Sequence, residues 1–296
     1  MIDPMRDVHV DTPSGRYAAI DFGGEGPDVL LLHQIASNAQ VWAPLGVALA
    51  EFAHPVAIDL CGHGRTRVGE ESLERLLRDL PAVVEALGLH RPLVIIENEE
   101  LLPLVGDGFA TVDACGLLVV GPSSSKRGEA AENEYQEILG IDSIDVWDAR
   151  NSMFMTGTPE ERQAFIDRRT SAAVADWVNE GVPQEQLRRY IERQIRDTED
   201  GWERVPRRPL VEQTLERVGR GPFGLDLYDG ISIPVWVAVG AQDVTDAEVD
   251  ELSAWAGEHD LRRAAFLPGY GPPDSFEAEP LALYVRDMLT ATAVGA

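Results

Sequence analysis

Short runs of consecutive apolar residues alternate with longer stretches of helical periodicity along much of the chain. Residues 29–32 (VLLL) are apolar at every position, which is typical of a parallel strand covered on both faces. Helical periodicity follows at residues 40–52 and 73–87. This alternation predicts an α/β fold with a mostly parallel central sheet and helices on both faces. The predicted strands are residues 7–10, 16–22, 29–33, 55–60, 92–96, 116–120, 234–240 and 263–267, and residues 281–291 form a closing helix.

The pattern changes between residues 122 and 230. Strand-like runs disappear there, and charged helical stretches such as 159–179 and 184–196 replace them. Strand patterns return after residue 230. We therefore expect a core built from residues 1–121 and 231–296, interrupted by an inserted helical cap at residues 122–230.

The charge balance narrows the classes of partner. With 51 Asp and Glu against 25 Lys and Arg, the formal net charge is −26, which repels phosphate backbones and anionic membrane surfaces. We therefore expect neither nucleic acid nor membrane as a partner, and we find no export signal or run of about 20 apolar residues. The two cysteines, Cys61 and Cys115, suit a reducing, cytoplasmic compartment. A small-molecule substrate is the expected partner, and a homodimer is one option for the oligomeric state.

Two motifs overlap the third and fourth predicted strands and include residues that follow them. The first is segment 26–34 (GPDVLLLHQ), followed by Trp42, and the second is segment 57–66 (AIDLCGHGRT). With the later strand spacing, they closely resemble the α/β-hydrolase superfamily, especially its epoxide-hydrolase-like and haloperoxidase-like members. The resemblance covers both halves of the core and implies the α/β-hydrolase fold, with a site at the carboxyl ends of the strands.

The chain departs from this resemblance at the catalytic positions. The family's Gly-x-nucleophile-x-Gly elbow corresponds to residues 97–101 (ENEEL), which puts Glu99 at the nucleophile position. The family's histidine position corresponds to Pro272 in segment 268–272 (PGYGP), whereas the acid position survives as Asp243. These departures argue against ordinary serine-hydrolase chemistry.

The turn after the third strand also differs from the family pattern. Gln34 replaces the usual glycine and brings a side-chain amide that both donates and accepts hydrogen bonds. The resemblance assigns the two oxyanion donors to the backbone N–H groups of Ile35 and Glu100. His33 can donate to a substrate oxygen, although the resemblance favours a structural role for it in the turn.

Glu99 has three interpretations. The resemblance allows a carboxylate nucleophile that forms an ester intermediate, but the family base that would activate water to hydrolyse this ester is missing, so general acid or base chemistry is favoured over it. In an apolar pocket beside Glu97 and Glu100 the pKa of Glu99 would be raised, which suits a general acid or base near neutral pH. Alternatively, Asn98 caps a helix and the two following glutamates occupy its first turn, where the helix dipole stabilises each anion by about 0.3–1 kcal/mol. The position at the strand ends favours the catalytic interpretation. No metal is expected, because this acidic cluster is contiguous and lacks histidine partners at ligand spacing.

Aromatic side chains in the cap, including Trp147 and Phe154, predict a lid over a hydrophobic, aromatic or polyketide-like substrate, with Pro272 in the same pocket. An intact scaffold with a replaced triad suggests a non-hydrolytic, cofactor-independent enzyme of bacterial specialised metabolism. It would catalyse cyclisation, C–C bond formation or a lyase reaction, with Glu99 as acid or base and Gln34 and Asp243 polarising a carbonyl. Two alternatives stay open: a divergent epoxide hydrolase or esterase, and a catalytically dead protein that binds a hydrophobic small molecule.

Overall fold

The structure is a computed structural model, and four of the candidate site residues, Glu99, Glu100, Asp243 and Pro272, lie outside the residues that it describes. The described residues are 5–98, 112–122, 124–138, 140, 143–176, 179, 181–242, 244–268 and 278–294.

Most strands belong to one central sheet. Numbered along the chain, the described strands are Arg6–Thr12 (β1), Gly15–Asp21 (β2), Asp28–Leu32 (β3), His54–Ile58 (β4), Arg67–Val68 (β5), Leu93–Glu97 (β6), Gly116–Val120 (β7), Thr156–Gly157 (β8), Ile195–Thr198 (β9), Gly201–Arg204 (β10), Val235–Gly240 (β11) and Arg262–Leu267 (β12). The central sheet has the order β1-β2-β4-β3-β6-β7-β11-β12, with β5 paired to β2. The pairs made by β2 are antiparallel, and the pairs from β4 to β12 are parallel.

Helices cover both faces of this sheet. They are Ala43–Leu49 (α1), Leu73–Ala86 (α2), Gly128–Ile138 (α3), Ser143–Asn151 (α4), Pro159–Ala175 (α5), Gln184–Arg193 (α6), Arg208–Val218 (α7), Asp246–Gly257 (α8) and Ala278–Val294 (α9). Leu30 and Leu32 of β3 point into a core that includes side chains of α2 and α8. Val29 and Leu31 point the other way, into a core with α1 and α9. The predicted fold class, a mostly parallel sheet with helices on both faces, is confirmed.

The inserted segment between β7 and β11 contains more than helices. β8, β10 and β9 form a small antiparallel sheet in that order. The prediction of a purely helical cap was therefore incomplete, and the helix expected over residues 184–196 ends at Arg193. These strands escaped the sequence pattern because they have only two to four residues, and β9 and β10 also carry charged side chains among the apolar ones. None of the described helices combines the length and apolar character needed to cross a bilayer.

Candidate active site

A cavity of about 660 Å³ lies at the carboxyl ends of β3 and β6. Gln34, two residues after β3, and Glu97, the last residue of β6, line it from the sheet side. The opposite wall includes side chains from α4, α5, α6, α7 and β10. Such a crevice beyond the strand ends is where open α/β sheets bind their ligands.

A hydrogen-bond network connects the two sheet-side residues. Glu97 is 1% exposed, and its carboxylate accepts a bond of 3.1 Å from the Gln34 backbone N–H and one of 2.8 Å from the Gln34 Nε2. The Asn98 Nδ2 donates to the Gln34 Oε1 over 2.8 Å. Each side of the Gln34 amide is thereby oriented, and a buried carboxylate is fixed at the edge of the cavity.

The backbone changes direction directly after β6. Asn98 has left-handed backbone with φ of 60°, a conformation that asparagine tolerates better than most residues. β6 continues through Glu97, which pairs with Val120, and the Asn98 N–H donates to the Val120 carbonyl over 3.0 Å. The sequence analysis considered Glu97 only as a neighbour of Glu99, whereas the structure places Glu97 among the described residues that line the cavity.

His33 and His63 support the turn after β3. His33 is fully buried; its Nδ1 donates to the Gln34 carbonyl, and its Nε2 accepts from the Leu60 N–H. The His63 Nε2 accepts from the Ala36 N–H, and its Nδ1 donates to the Cys61 carbonyl. Burial lowers the pKa of His33 to about 3 and that of His63 to about 4. Both rings are neutral near pH 7, and backbone groups occupy both nitrogens of each, which favours the structural role of His33 over substrate binding.

The apolar candidates differ in their positions. Ile35 and Trp147 line the cavity, as expected for substrate contacts. Phe154 is not among the described residues that line the cavity. Its ring packs against the apolar cluster that contains Ile35. The central carbon of the Arg208 guanidinium lies over this ring, 5.5 Å from its centre. Met153 occupies the lining position next to Phe154.

A buried ion pair joins helix α6 to the loop after β4 beside this site. The Asp59 carboxylate, fully buried in the second sequence motif, accepts from Arg193 Nε of α6 at 2.9 Å and from the backbone N–H groups of Ala39 and Arg65. Burial would raise the pKa of Asp59, but the Arg193 guanidinium outweighs it and lowers the pKa below its usual range. The sequence motif thus fixes the loop after β3 and the cap helix to one carboxylate.

Three arginines on the cap side were missed by the sequence analysis. Arg150, Arg169 and Arg204 all line the cavity. They lie on α4, α5 and β10, respectively. Arg150 and Arg204 are 54 residues apart in the chain. No spacing in the sequence could have brought them together. Among the described residues, no group of three or more His, Cys, Asp or Glu side chains is placed to hold a metal ion.

No family model matches the chain. In sequence it is similar to protein phosphatase methylesterase 1 of Bos taurus, with 32% identity over 172 residues that span 53% of this chain and 40% of that protein. The human protein of the same name is 31% identical over 172 residues with the same coverage. The match therefore spans less than half the length of these relatives.

Similarity to solved structures extends over nearly the whole chain. E-2-(acetamidomethylene)succinate hydrolase has a TM-score of 0.69 at 15% identity, covering 97% of this chain and 99% of that chain. A thioesterase domain from the curacin biosynthetic pathway has a TM-score of 0.65 at 16% identity, covering 95% and 99%. An esterase from Mycobacterium tuberculosis has a TM-score of 0.62 at 20% identity, covering 97% and 92%.

These similarities correct the functional hypothesis drawn from the sequence. The relatives and structural neighbours are named as a methylesterase, esterases and hydrolases, which contradicts the hypothesis of a non-hydrolytic cyclase, lyase or C–C bond-forming enzyme. The alternative of a divergent esterase fits them better. The strand order, the helices on both faces and the neighbours agree with the family recognised in the sequence motifs. The chain therefore has the α/β-hydrolase fold.

Proposed function

We propose that this protein is a divergent esterase that hydrolyses a carboxylic ester in the cavity at the ends of β3 and β6. The observation that carries the proposal is the buried Glu97 carboxylate, which lines the cavity and is oriented by two hydrogen bonds from Gln34. The similarity to a methylesterase over about half of this chain and the esterase and hydrolase neighbours support the reaction class.

In this proposal Glu97 acts as the general base toward a water molecule. Its carboxylate takes a proton as the water oxygen attacks the ester carbonyl carbon, and the resulting tetrahedral oxyanion is stabilised by the Ile35 N–H, the donor that the family resemblance assigns. Collapse of this intermediate breaks the C–O bond, and the protonated Glu97 returns the proton to the departing alcohol. His33 and His63 take no part, because backbone groups occupy their ring nitrogens.

The test compares the wild type with Glu97→Gln on methyl, butyl and phenyl esters of acetate and butyrate. General base catalysis contributes roughly 10²–10⁴-fold, so we expect Glu97→Gln to lower kcat/KM by at least about 100-fold. Glutamine keeps the shape of the side chain, and joint reorientation of the Gln34 and Asn98 amides can restore the hydrogen bonds. Asp79→Asn is the matched control, since Asp79 is a buried carboxylate that accepts hydrogen bonds from Ser14 and Tyr17 and does not line the cavity.

The outcomes separate the parts of the proposal. Full activity in Glu97→Gln would show that another group activates the water, while ester hydrolysis itself would stand. Loss of activity in Asp79→Asn to the same extent would attribute the effect to general destabilisation. A wild type that binds these esters and converts none of them would refute the proposal and favour the catalytically dead binding protein.

A further inference from the structure

The cap side of the cavity carries positive charge in a strongly acidic protein. The chain has a formal net charge of −26, and yet Arg150, Arg169 and Arg204 all line this one cavity. Arg150 is exposed and pairs with Asp176, with 3.0 Å between Nη2 and Oδ2. Arg169 and Arg204 have no ion pair with any carboxylate among the described residues. Asp176 and Asp148 partly offset the effect of burial on the pKa of Arg169 and of Arg204, respectively, but neither carboxylate lies within ion-pair distance of these guanidinium groups. Both groups can therefore pair directly with an anionic ligand.

Arg204 is a buried cation among neutral acceptors. It is 8% exposed, and its guanidinium donates to the side-chain oxygen of Gln194 at 2.6 and 3.1 Å and to the backbone carbonyls of Asn151 and Ser152. Burial lowers its pKa to about 10, so it remains charged at neutral pH. Carbonyl oxygens stabilise a guanidinium less than a carboxylate does, because they carry only partial charge. A buried cation without a counterion is costly unless a ligand supplies one.

Arg169 on α5 makes longer and therefore weaker hydrogen bonds than Arg204. Its two terminal nitrogens lie 3.4 Å from the Arg150 carbonyl oxygen and 3.5 Å from the Asn151 Oδ1, at the outer limit for hydrogen bonds. Its Nε is inaccessible to solvent and has no hydrogen-bond partner among the described residues. Arg169 is also close enough to Arg204 for its charge to lower the pKa of Arg204 further. Two like charges in one wall repel each other, and an anion bound to both would remove this repulsion.

We propose that Arg169 and Arg204 bind an anionic group of the ligand, a carboxylate or a phosphate, in this cavity. The remaining wall is largely apolar, with Ile35, Trp147 and Leu187 among its members, so the ligand combines an anionic group with an apolar body. The identification of this ligand as the substrate rests on the proposed esterase function, whereas its binding does not.

The test measures binding, which needs no turnover. The three ligands are 4-phenylbutyrate, 2-phenylethyl phosphate and the uncharged 4-phenylbutyramide, and their dissociation constants are determined by isothermal titration calorimetry. For the wild type we expect at least one of the two anions to bind at least about tenfold more tightly than the amide. The anion that binds more tightly distinguishes a carboxylate site from a phosphate site.

Arg169→Gln removes one charge and leaves the structural contacts of Arg204 intact. We expect this variant to reduce the preference for the anion to about threefold or less, with little change in affinity for the amide. The matched control is Arg162→Gln on the same helix, because Arg162 is partly exposed, pairs with Asp197 and does not line the cavity. It should keep the wild-type preference.

Two results would overturn the proposal. One is equal affinity of the wild type for the amide and both anions, and the other is a preference that survives unchanged in Arg169→Gln. Equal loss in Arg162→Gln would also count against it, because the preference would then reflect the overall charge of the cap. An absence of ester hydrolysis in the preceding experiment would leave these binding results intact, so the two proposals fail separately.

Discussion

Lowering the pH from 7.5 to 5.5 should destabilise the protein through the two buried histidines beside the cavity. Burial holds the pKa of His33 at about 3 and that of His63 at about 4 in the folded state. In the unfolded chain both imidazoles return to the ordinary value of 6.5 and take up protons as the pH falls. The unfolded state then binds more protons than the folded state, so the free energy of unfolding decreases.

The magnitude follows from the protonation of the unfolded chain. At pH 5.5 protonation stabilises each unfolded imidazole by RT ln(1 + 10), about 1.4 kcal/mol, while both folded-state rings are still neutral. Protonation of the two imidazoles in the unfolded chain therefore lowers the free energy of unfolding by about 3 kcal/mol. The corresponding stability is fully present well above the unfolded-state pKa of 6.5 and is lost as the pH falls through that value, down to about pH 4 for His63 and about pH 3 for His33. It is a large part of the roughly 5–15 kcal/mol that stabilises a typical domain.

Urea unfolding at pH 7.5, 6.5 and 5.5 measures this loss in the wild type, His63→Asn and His9→Asn. His9 is exposed on β1, so its replacement removes an imidazole without the buried contacts. We expect the wild type and His9→Asn to lose about 3 kcal/mol and His63→Asn about half of that, whatever its stability at pH 7.5. Changes in overall charge repulsion are common to the three proteins. A wild-type loss below about 1 kcal/mol, or an equal pH dependence in His63→Asn, would refute the reasoning.

Two further predictions concern the second sequence motif. Asp59→Asn leaves the buried Arg193 without its counterion and should lower the free energy of unfolding by about 3–5 kcal/mol in urea titrations, and a loss below about 1 kcal/mol would contradict the role of this pair. Gly64 and Gly88 both have left-handed backbone, but a Cβ at Gly64 would lie 2.2 Å from the Asp59 Cγ, whereas a Cβ at Gly88 meets nothing within 4 Å. Gly88→Ala should therefore lower the free energy of unfolding by about 1–2 kcal/mol, through backbone strain alone. Gly64→Ala should lower it clearly more, as measured by thermal unfolding, and equal losses would contradict the close approach to Asp59.

The central sheet could be predicted because strands buried on both faces appear in the sequence as runs of consecutive apolar residues. The apolar run in β3 and the equivalent runs in β6 and β7 correspond to fully buried strands. The end of β6 was placed one residue too early, since pairing with Val120 extends the strand to a glutamate that no hydrophobicity pattern would include. The hydrophobic pattern therefore predicts that strand β6 exists, whereas pairing with β7 determines the residue at which it ends.

The candidate site was only partly predictable. The resemblance predicted Gln34 and Ile35 as site residues in the segment after β3, and both line the cavity, although their roles in catalysis and binding stay predictions. The partnership of Gln34 with Glu97 joins residues 63 positions apart, and the arginine wall joins different cap elements. Such contacts arise from tertiary packing and have no local signature. The predicted roles of Glu99, Glu100, Asp243 and Pro272 stay predictions, as does the division into core and cap.

The attachment between the loop after β3 and helix α6 has a consequence for the kinetics of ligand exchange. Besides the Asp59–Arg193 pair, the Asn38 side chain donates to the Tyr190 carbonyl and the Gln194 side chain donates to the Ala36 carbonyl. Displacing α6 would break all of these bonds together, and the ion pair between Arg188 and Asp167 joins α6 to α5 as well. Helix α6 is therefore expected to stay in place while a ligand associates and dissociates, so substitutions at Asn38 or Gln194 should change the exchange rates together with the equilibrium stability.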